Sequence, residues 1–227
     1  MYQHFAIYYD QIFPVNQVSF EQLKRWMIKG KRAIDLGCAT GHLVHFMHEQ
    51  EMRVTGIDLD SKMIEVAQSN YPSLTYIEMD MVDYLAGQKD IHLITCLGNT
   101  IPHLNKDQIH RFFEEVSKAL ASDGLLIIQL LNYDKILRDL PDNLPVIERG
   151  EIIFHRHYQY FQEYLIFKTK LNIGQHETEG STILYPYRKD ELVKIIQGHG
   201  LKAACYQNLS LEPWSLESSH QTWLITH

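Results

Sequence analysis

The sequence predicts a doubly wound α/β fold that carries a small antiparallel β insert. Two observations support this prediction. Apolar runs of strand length alternate with amphipathic helical runs over residues 32–133, the pattern of a largely parallel sheet covered on both faces. Over residues 151–184 the helical periodicity disappears, and apolar and polar residues alternate as in an antiparallel sheet with one solvated face.

The core elements are predicted in the following order. A first helix lies in PVNQVSFEQLKRWMIKGK and is capped at Asn16 or Ser19. Five short apolar runs then form strands, namely RAIDLG, MRVTGIDLD, LTYIEMD, IHLITCLG and LLIIQLLNY. The helices between them extend to about Gln50, from a cap at Ser61 to Pro72, and over NKDQIHRFFEEVSKAL.

The insert is predicted from three strand-like runs, EIIFHRHYQYF, YLIFKTKLNIG and STILYPY. A last helix, RKDELVKIIQGHG, ends at Gly198 or Gly200, because glycine is favoured just after a helix. LKAACYQN and HQTWLITH are the closing strands. We therefore expect one domain over residues 1–227, with its core in 1–138 and 188–227 and its insert in about 139–187.

The composition is that of an ordinary globular protein, with 45% hydrophobic and 22% charged residues. A net charge of -7 without any basic run argues against nucleic-acid binding. No segment resembles a signal peptide or a membrane span, so no membrane partner is expected. The three cysteines are too few for a disulfide framework, which favours a cytoplasmic location.

Thirteen histidines raise the question of a metal site. His42, His45 and His48 share one face of a predicted helix, and His155 and His157 share one face of a predicted strand. Neither set has the cysteine or carboxylate partners of a zinc site. We therefore predict no bound metal.

The glycine-rich turn in AIDLGCATGHLVHF indicates a nucleotide-like ligand, because glycine allows backbone to approach a ligand closely. A P-loop is excluded, since Gly41 is followed by His42 and not by lysine. A dinucleotide-binding turn needs G-x-G-x-x-G, whereas Ala39 follows Gly37 at the middle position.

IDLGCATG resembles the first motif of the class I S-adenosylmethionine-dependent methyltransferases, and GIDLD, SKM and MDM follow at the spacing of that family. The resemblance implies a Rossmann-like, seven-stranded, mostly parallel sheet whose last strand is antiparallel. It also implies S-adenosylmethionine as cofactor and S-adenosylhomocysteine as product. The implied cofactor-binding residues are Tyr9, Asp35, Gly37, Cys38, Ala39, Gly41, Asp58, Leu59, Met63, Asp80, Met81, Leu97 and Asn99.

Several of these residues have implied roles. Asp58 would accept hydrogen bonds from the ribose hydroxyls, and Met63 would pack on the adenine. Asp80 would lie near the adenine amino group, and Asp35 would organise the loop or reach the cofactor's ammonium directly or through water. Taken singly, Asp80 is equally explained as a helix cap and Met63 as a core residue. Their succession on neighbouring strand ends, where ligands bind in open α/β sheets, favours the cofactor site.

CLGNTIPHL resembles the glycine and sarcosine N-methyltransferases and their bacterial relatives, as do LLNYDKIL, FHRHYQYF and TILYPYRKDELVKII. This resemblance implies a small-molecule acceptor, methylated at an amine nitrogen and covered by the insert. Asn99, His103, Asn132 and Tyr133 would hold it, with His103 as the candidate base. His103 is equally explained as a helix cap or a packing residue. Methylation of another metabolite at nitrogen or oxygen, and cofactor binding without turnover, stay open.

A carboxylate on the acceptor would call for an arginine, whose fork matches it. The candidates are Arg138, Arg149, Arg156 and Arg188, and Arg156 is the first choice. The aromatic residues Tyr2, Phe5, Tyr8 and Tyr9 predict either a lid over the cofactor or a helix face packed on the core. A contact of Tyr9 with a cationic ligand would contribute about 0.5–2 kcal/mol. We expect a monomer or a homodimer.

Overall fold

The computed structural model describes residues 5–227 and contains a central seven-stranded sheet. The strands are β1 (Arg32–Leu36), β2 (Arg53–Asp58), β3 (Thr75–Glu78), β4 (Ile91–Cys96), β5 (Leu120–Leu131), β10 (Lys202–Tyr206) and β11 (His220–Thr226). Their order is β10-β11-β5-β4-β1-β2-β3. β11 runs antiparallel to β5 and β10, and every other pair is parallel. The predicted fold class is thereby confirmed.

The helices lie on both faces of this sheet. They are α1 (Tyr9–Ile12), α2 (Gln17–Leu23), α3 (His42–Glu49), α4 (Ser61–Asn70), α5 (Met81–Leu85), α6 (Lys106–Ala119), α7 (Tyr133–Asp139) and α8 (Lys189–Gly198). Asn16 caps α2 as predicted, because its side chain accepts from the backbone N–H of Ser19. The predicted cap at Ser61 is wrong. Asp60 caps α4, since its carboxylate accepts from the N–H of Lys62 at 3.0 Å.

The insert is a separate antiparallel sheet of four strands. They are β6 (Ile147–Arg149), β7 (Ile152–Tyr160), β8 (Leu165–Ile173) and β9 (His176–Leu184), paired in that order. The sequence predicted three of them, and it placed the start of the last one too late. β9 is an edge strand, and its first residues are mostly polar and exposed, so they show no apolar alternation.

Clusters of apolar side chains bring these layers together. α6 buries Ile109, Phe112 and Phe113 against the central sheet. Residues 5–13 pack on the insert, where Phe5 contacts Phe154 of β7 with ring centroids 5.2 Å apart. The insert is thus held against the edge where β1 to β4 end. No helix within residues 5–227 is both long and apolar enough to span a bilayer.

Candidate functional site

A cavity of about 420 Å³ lies at the carboxyl ends of β1 to β4. This is the edge of an open α/β sheet at which ligands bind, and the volume suits a small molecule. The lining residues come from the turns after these four strands, from the start of α6, from β9 and from the N-terminal segment. They are Tyr9, Gly37, Ala39, Ile57, Asp58, Leu59, Asp60, Met63, Met79, Asp80, Met81, Gly98, Asn99, Thr100, His103, Leu104, Gln108 and Thr182.

The turn after β1 needs glycine at its first position. Gly37 has φ of 74°, and a Cβ built there would lie 2.6 Å from Oγ1 of Thr100. That hydroxyl is itself fixed, because it donates to the carbonyl of Leu97 at 2.8 Å. The N–H groups of Gly37 and Cys38 both donate to the carbonyl of Ile57, at 2.7 and 2.9 Å. The turn is therefore closely tied to β2 and to the loop after β4.

Asp58 presents a fixed carboxylate on the cavity wall. Its Oδ2 accepts from the N–H of Ala39 and its Oδ1 from the N–H of Asp60, both at 2.9 Å. Burial raises the pKa of Asp58, and these backbone donors oppose that shift. Each oxygen of an ionised carboxylate can accept more than one hydrogen bond, so Asp58 retains capacity for hydroxyl donors of a ligand.

Asp35 lies beneath the cavity and does not line it. Only 4% of its surface is exposed, and Oγ1 of Thr95 donates to its carboxylate at 2.6 Å. Burial raises the pKa of Asp35 to about 7, the charge of Asp58 adds to the shift, and the bond from Thr95 opposes it. Near neutral pH this carboxyl group is therefore poised between its two charge states.

The turn after β3 supplies the far wall of the cavity. Asp80 caps α5 by accepting from the N–H groups of Val82 and Asp83, at 2.8 and 3.2 Å. Its capping role and its place on the cavity wall coexist. Met63 is buried, whereas Leu59 is 69% exposed at the rim.

Nine of the thirteen predicted cofactor-binding residues line the cavity: Tyr9, Gly37, Ala39, Asp58, Leu59, Met63, Asp80, Met81 and Asn99. Asp35 in β1 and Cys38, Gly41 and Leu97 after the strands do not line it. Cys38 is buried, which raises the pKa of its thiol. Ligand contacts of all thirteen residues stay predictions.

Asn99 connects the loop after β4 to the end of β5. Its backbone has φ of 68°, a conformation that is uncommon outside glycine and is found at functional sites. Its Oδ1 accepts from the N–H of Leu131, and its Nδ2 donates to the hydroxyl of Tyr133, each at 3.1 Å. Tyr133 is fully buried behind Asn99 and does not line the cavity.

His103 lines the cavity beside this loop. Burial lowers the pKa of His103 to about 4. The imidazole is therefore neutral near pH 7, where it can accept a hydrogen bond but holds an additional proton poorly.

The structure places Asn132 outside the cavity wall, 1% exposed. Its Nδ2 donates to the carbonyl oxygens of Ser215, Leu216 and Ser218 at 2.9–3.3 Å. Its Oδ1 accepts from Nε2 of Gln221. These bonds fasten the 215–218 loop to the end of β5, while contact of Asn132 with an acceptor stays a prediction.

Arg156 lies on the inward face of β7, between Phe154 and Tyr158. Its guanidinium is half-buried; one terminal nitrogen donates to the carbonyl of Pro145 at 2.8 Å, and Nε is buried without a partner. Within residues 5–227, no carboxylate lies within ion-pair distance of it. Burial lowers the pKa of Arg156.

Arg156 does not itself line the cavity, but it faces the same side of the insert as Thr182, which does. Arg156 of β7 pairs with Thr169 of β8, which pairs in turn with Gly180 of β9. Thr182 of β9 pairs with Phe167 of β8, two residues along the strand from Thr169. Directly paired residues share a face of a sheet, and so do residues two apart on one strand. Arg156 and Thr182 therefore point to the same face of the insert. Of the other candidates, Arg138 forms surface ion pairs, Arg149 is exposed, and Arg188 lines a groove between α6 and α8.

Tyr9 lines the cavity, as expected of a lid residue, and its contact with a cofactor stays a prediction. Burial raises the pKa of Tyr9 to about 12, and the charges of Asp58, Asp10 and Asp35 add to the shift. Phe5 and Tyr8 pack in the aromatic cluster on the insert, and Tyr2 lies outside the described residues.

Sequence reasoning missed several lining residues. Gln108 lines the cavity, but its sequence context indicates only a helix start, because its side chain completes the capping box of α6 with Asn105. Thr182 has no local signal, because β9 brings it to the cavity from a distant part of the chain. Within residues 5–227, no group of three histidine, cysteine or acidic side chains is arranged to hold a metal ion.

Comparisons with known proteins agree with this geometry. Residues 33–124 match the family described as a methyltransferase domain. YqeM of Bacillus subtilis, a protein named as a methyltransferase, is 29% identical over 154 residues, which are 63% of this chain and 60% of that protein's length. This chain thus spans less than two thirds of that relative.

Two solved structures share the fold. An S-adenosylmethionine-dependent methyltransferase from Clostridium acetobutylicum superposes with a TM-score of 0.85 at 18% identity, over 99% of this chain and 98% of that one. The sugar N-methyltransferase KedS8 from Streptoalloteichus has a TM-score of 0.72 at 13% identity, over 100% and 93% of the two chains.

These findings agree with the predicted methyltransferase fold, while S-adenosylmethionine as cofactor and S-adenosylhomocysteine as product stay predictions. They do not single out the glycine and sarcosine group. Residues 33–124 thus resemble a methyltransferase domain, and the strand order and overall fold of the described chain are those of a solved S-adenosylmethionine-dependent methyltransferase.

Proposed function

We propose that the protein methylates the amine nitrogen of a small molecule that also carries a carboxylate, an acceptor of the glycine and sarcosine type. The observation that carries this proposal is Arg156, an inward-facing, half-buried arginine without an acidic partner among residues 5–227. A nitrogen acceptor is in keeping with the likeness to KedS8, which is a sugar N-methyltransferase.

The cofactor half of the cavity suits a ligand with positive charge. Asp58, Asp60 and Asp80 line it, and no lysine or arginine is among the lining residues. Gly98 also lines it, and a Cβ built at Gly98 would meet no atom within 4 Å, so the backbone there leaves open space. S-adenosylmethionine, which carries a sulfonium and an ammonium, fits these residues and supplies an electrophilic methyl group when bound.

The chain's own contribution to the transfer is to orient a neutral amine in a site with little water. An amine attacks through its lone pair, so it has to lose its proton to solvent before it reacts. His103 is neutral near pH 7 and accepts a hydrogen bond from an amine N–H, while Asn99 offers an amide held in place by Leu131 and Tyr133. Such positioning contributes much of the rate of a displacement between two bound groups.

Arg156 is the residue that would select the carboxylate. A buried cation is costly unless it is paired, and the free Nε and remaining guanidinium N–H groups match a carboxylate in two-point geometry. Thr182 lies on the same face of the insert as Arg156 and lines the cavity. A carboxylate bound to Arg156 would therefore place the rest of a small acceptor toward His103 and Asn99.

The test is release of S-adenosylhomocysteine with matched acceptors. Glycine, sarcosine and dimethylglycine are compared with methylamine, dimethylamine and glycinamide, which lack the carboxylate. We expect turnover confined to the carboxylated amines. Arg156→Met should raise KM for the acceptor about 10- to 100-fold, the range for losing a charged hydrogen-bonded partner, and leave cofactor affinity unchanged. Arg149→Met, at an exposed site on the neighbouring strand, is the matched control.

Equal turnover of the amines without a carboxylate, or an unchanged KM in Arg156→Met, would contradict the proposed acceptor class. Turnover only with alcohols or phenols would favour an oxygen acceptor. Firm binding of S-adenosylmethionine without turnover on a broad panel would favour a binding module.

A further inference from the structure

The N-terminal strap, residues 5–13, crosses the cofactor cavity and is fastened on both sides. On one side Phe5 and Phe13 pack against Phe154 of the insert, with ring centroids 5.2 and 5.8 Å apart. On the other side Asp10 contacts the turn after β1 and the start of α3. Tyr9, which lines the cavity, lies between these two attachments.

Asp10 makes two polar contacts, one with the turn after β1 and one with the first residue of α3. Oγ1 of Thr40 donates to its Oδ1 at 2.5 Å, and Nε2 of His42 lies 3.0 Å from its Oδ2. Thr40 is only 2% exposed, so Asp10 satisfies a hydroxyl that would otherwise be buried without a partner. The bond to Thr40 is therefore specific, although the Asp10 side chain itself is 37% exposed.

The partners of Asp10 are themselves held rigidly. Nδ2 of Asn70 donates to the carbonyl of Thr40 at 3.2 Å, which fixes the turn from the end of α4. Nδ1 of His42 lies 2.6 Å from the hydroxyl of Tyr71, and the Tyr71 ring stacks on His45 with centroids 4.2 Å apart. Asp10 thus docks on a preformed surface.

We propose that Asp10 is a positioning residue, which holds Tyr9 over the cofactor cavity through Thr40 and His42, and that this latch opens before the cofactor exchanges. The inference rests on the proposed function for the identity of the ligand, but it requires neither an acceptor nor turnover. The strap connects the turn after β1 to β7, the strand that carries Arg156. Closing the strap over the cofactor therefore also orders the acceptor half of the site.

The experiment follows release of tritium-labelled S-adenosylmethionine from the full chain after addition of excess S-adenosylhomocysteine. Asp10→Ala, Thr40→Val and the double variant are compared with the wild type. Each single variant should release the label about tenfold faster, because each removes a hydrogen bond that involves a charged group. The double variant should release it no faster than the Asp10 variant alone, since the Thr40 change then removes a bond that residue 10 no longer makes.

Glu49→Gln is the matched control. Glu49 is an acid on α3 that lies 3.7 Å from His45 and has no contact with the strap, so its release rate should stay within twofold of the wild type. Melting temperatures of all variants exclude general unfolding as the cause.

Unchanged release rates in both single variants, or strictly multiplicative effects in the double variant, would overturn the latch. A wild-type protein that fails to retain labelled S-adenosylmethionine at all would overturn the latch and the proposed function together. Loss of turnover with normal retention and the expected release rates would instead leave the latch standing and contradict only the proposed function.

Discussion

Asp35 should make cofactor binding depend on pH, because its carboxyl group is buried and close to half-ionised at neutrality. Its pKa lies near 7 in the protein against an ordinary value of 3.8. The ionised form is therefore disfavoured by the fold, at a cost of about 4 kcal/mol above pH 7 that is absent below pH 4. A cationic ligand above Gly37 offsets this cost by favouring the carboxylate.

The size of the effect follows from the fraction of Asp35 that is ionised. With a pKa near 7, that fraction rises from about 9% at pH 6 to about 91% at pH 8. If the ligand binds the ionised form, its apparent affinity rises in proportion, by about tenfold over this interval. The sign is fixed by the raised pKa: affinity increases with pH and does not decrease.

Calorimetric titration with S-adenosylhomocysteine at pH 6, 7 and 8 measures this dependence. Asp35→Asn is the comparison, because asparagine keeps an oxygen that accepts from Thr95 and removes the titration. The ligand's own amino group titrates mostly above this pH interval and is present with both proteins, so the difference between the two proteins reports on Asp35. An identical pH dependence in Asp35→Asn, or a wild-type affinity that falls between pH 6 and pH 7, would refute the reasoning.

Two further substitutions separate local strain from buried polar contacts. Gly37→Ala should lower the free energy of unfolding by about 1–2 kcal/mol because of its positive φ, and by a further amount because its Cβ would meet Thr100 at 2.6 Å. Gly30→Ala is the comparison, because Gly30 has φ of 75° and a Cβ built there would meet no atom within 4 Å. Chemical denaturation of both variants separates the backbone strain from the steric clash. Asn132→Ala should destabilise the protein by about 2–4 kcal/mol, because three loop carbonyls lose their donor, while KM for the acceptor stays constant. A raised KM for the acceptor without loss of stability would instead indicate that Asn132 contacts the acceptor.

The cofactor half of the site was accessible from sequence because its geometry is local. Asp58 ends β2, and Gly37 and Asp80 follow β1 and β3 within two residues; parallel strands bring such positions to one edge of the sheet. The alternation of strand and helix fixed the strand count for the same reason. Short elements escaped detection, since α5 and α7 span less than two full turns and depend on the caps at Asp80 and Asn132.

The acceptor half was less accessible, because its contacts join distant parts of the chain. Thr182 reaches the cavity only through the pairing of β9 with β8, and the first residues of β9 lack any apolar alternation. For Asn132 the sequence predicted a contact with the acceptor, which stays a prediction. It did not reveal the structural role of this side chain, whose amide donates to a loop more than eighty residues away.

The distribution of charge gives the proposed acceptor a direction within the site. The cofactor wall carries Asp58, Asp60 and Asp80, and the insert carries the unpaired Arg156. An amino acid entering between them is driven to turn its amine toward the acidic wall and its carboxylate toward the insert, because the reverse orientation brings like charges together. That orientation would turn the nitrogen toward the half of the cavity that we propose holds the methyl donor. An amine without a carboxylate lacks this preference, so removing Arg156 should reduce the advantage of glycine over methylamine and not merely weaken binding of both.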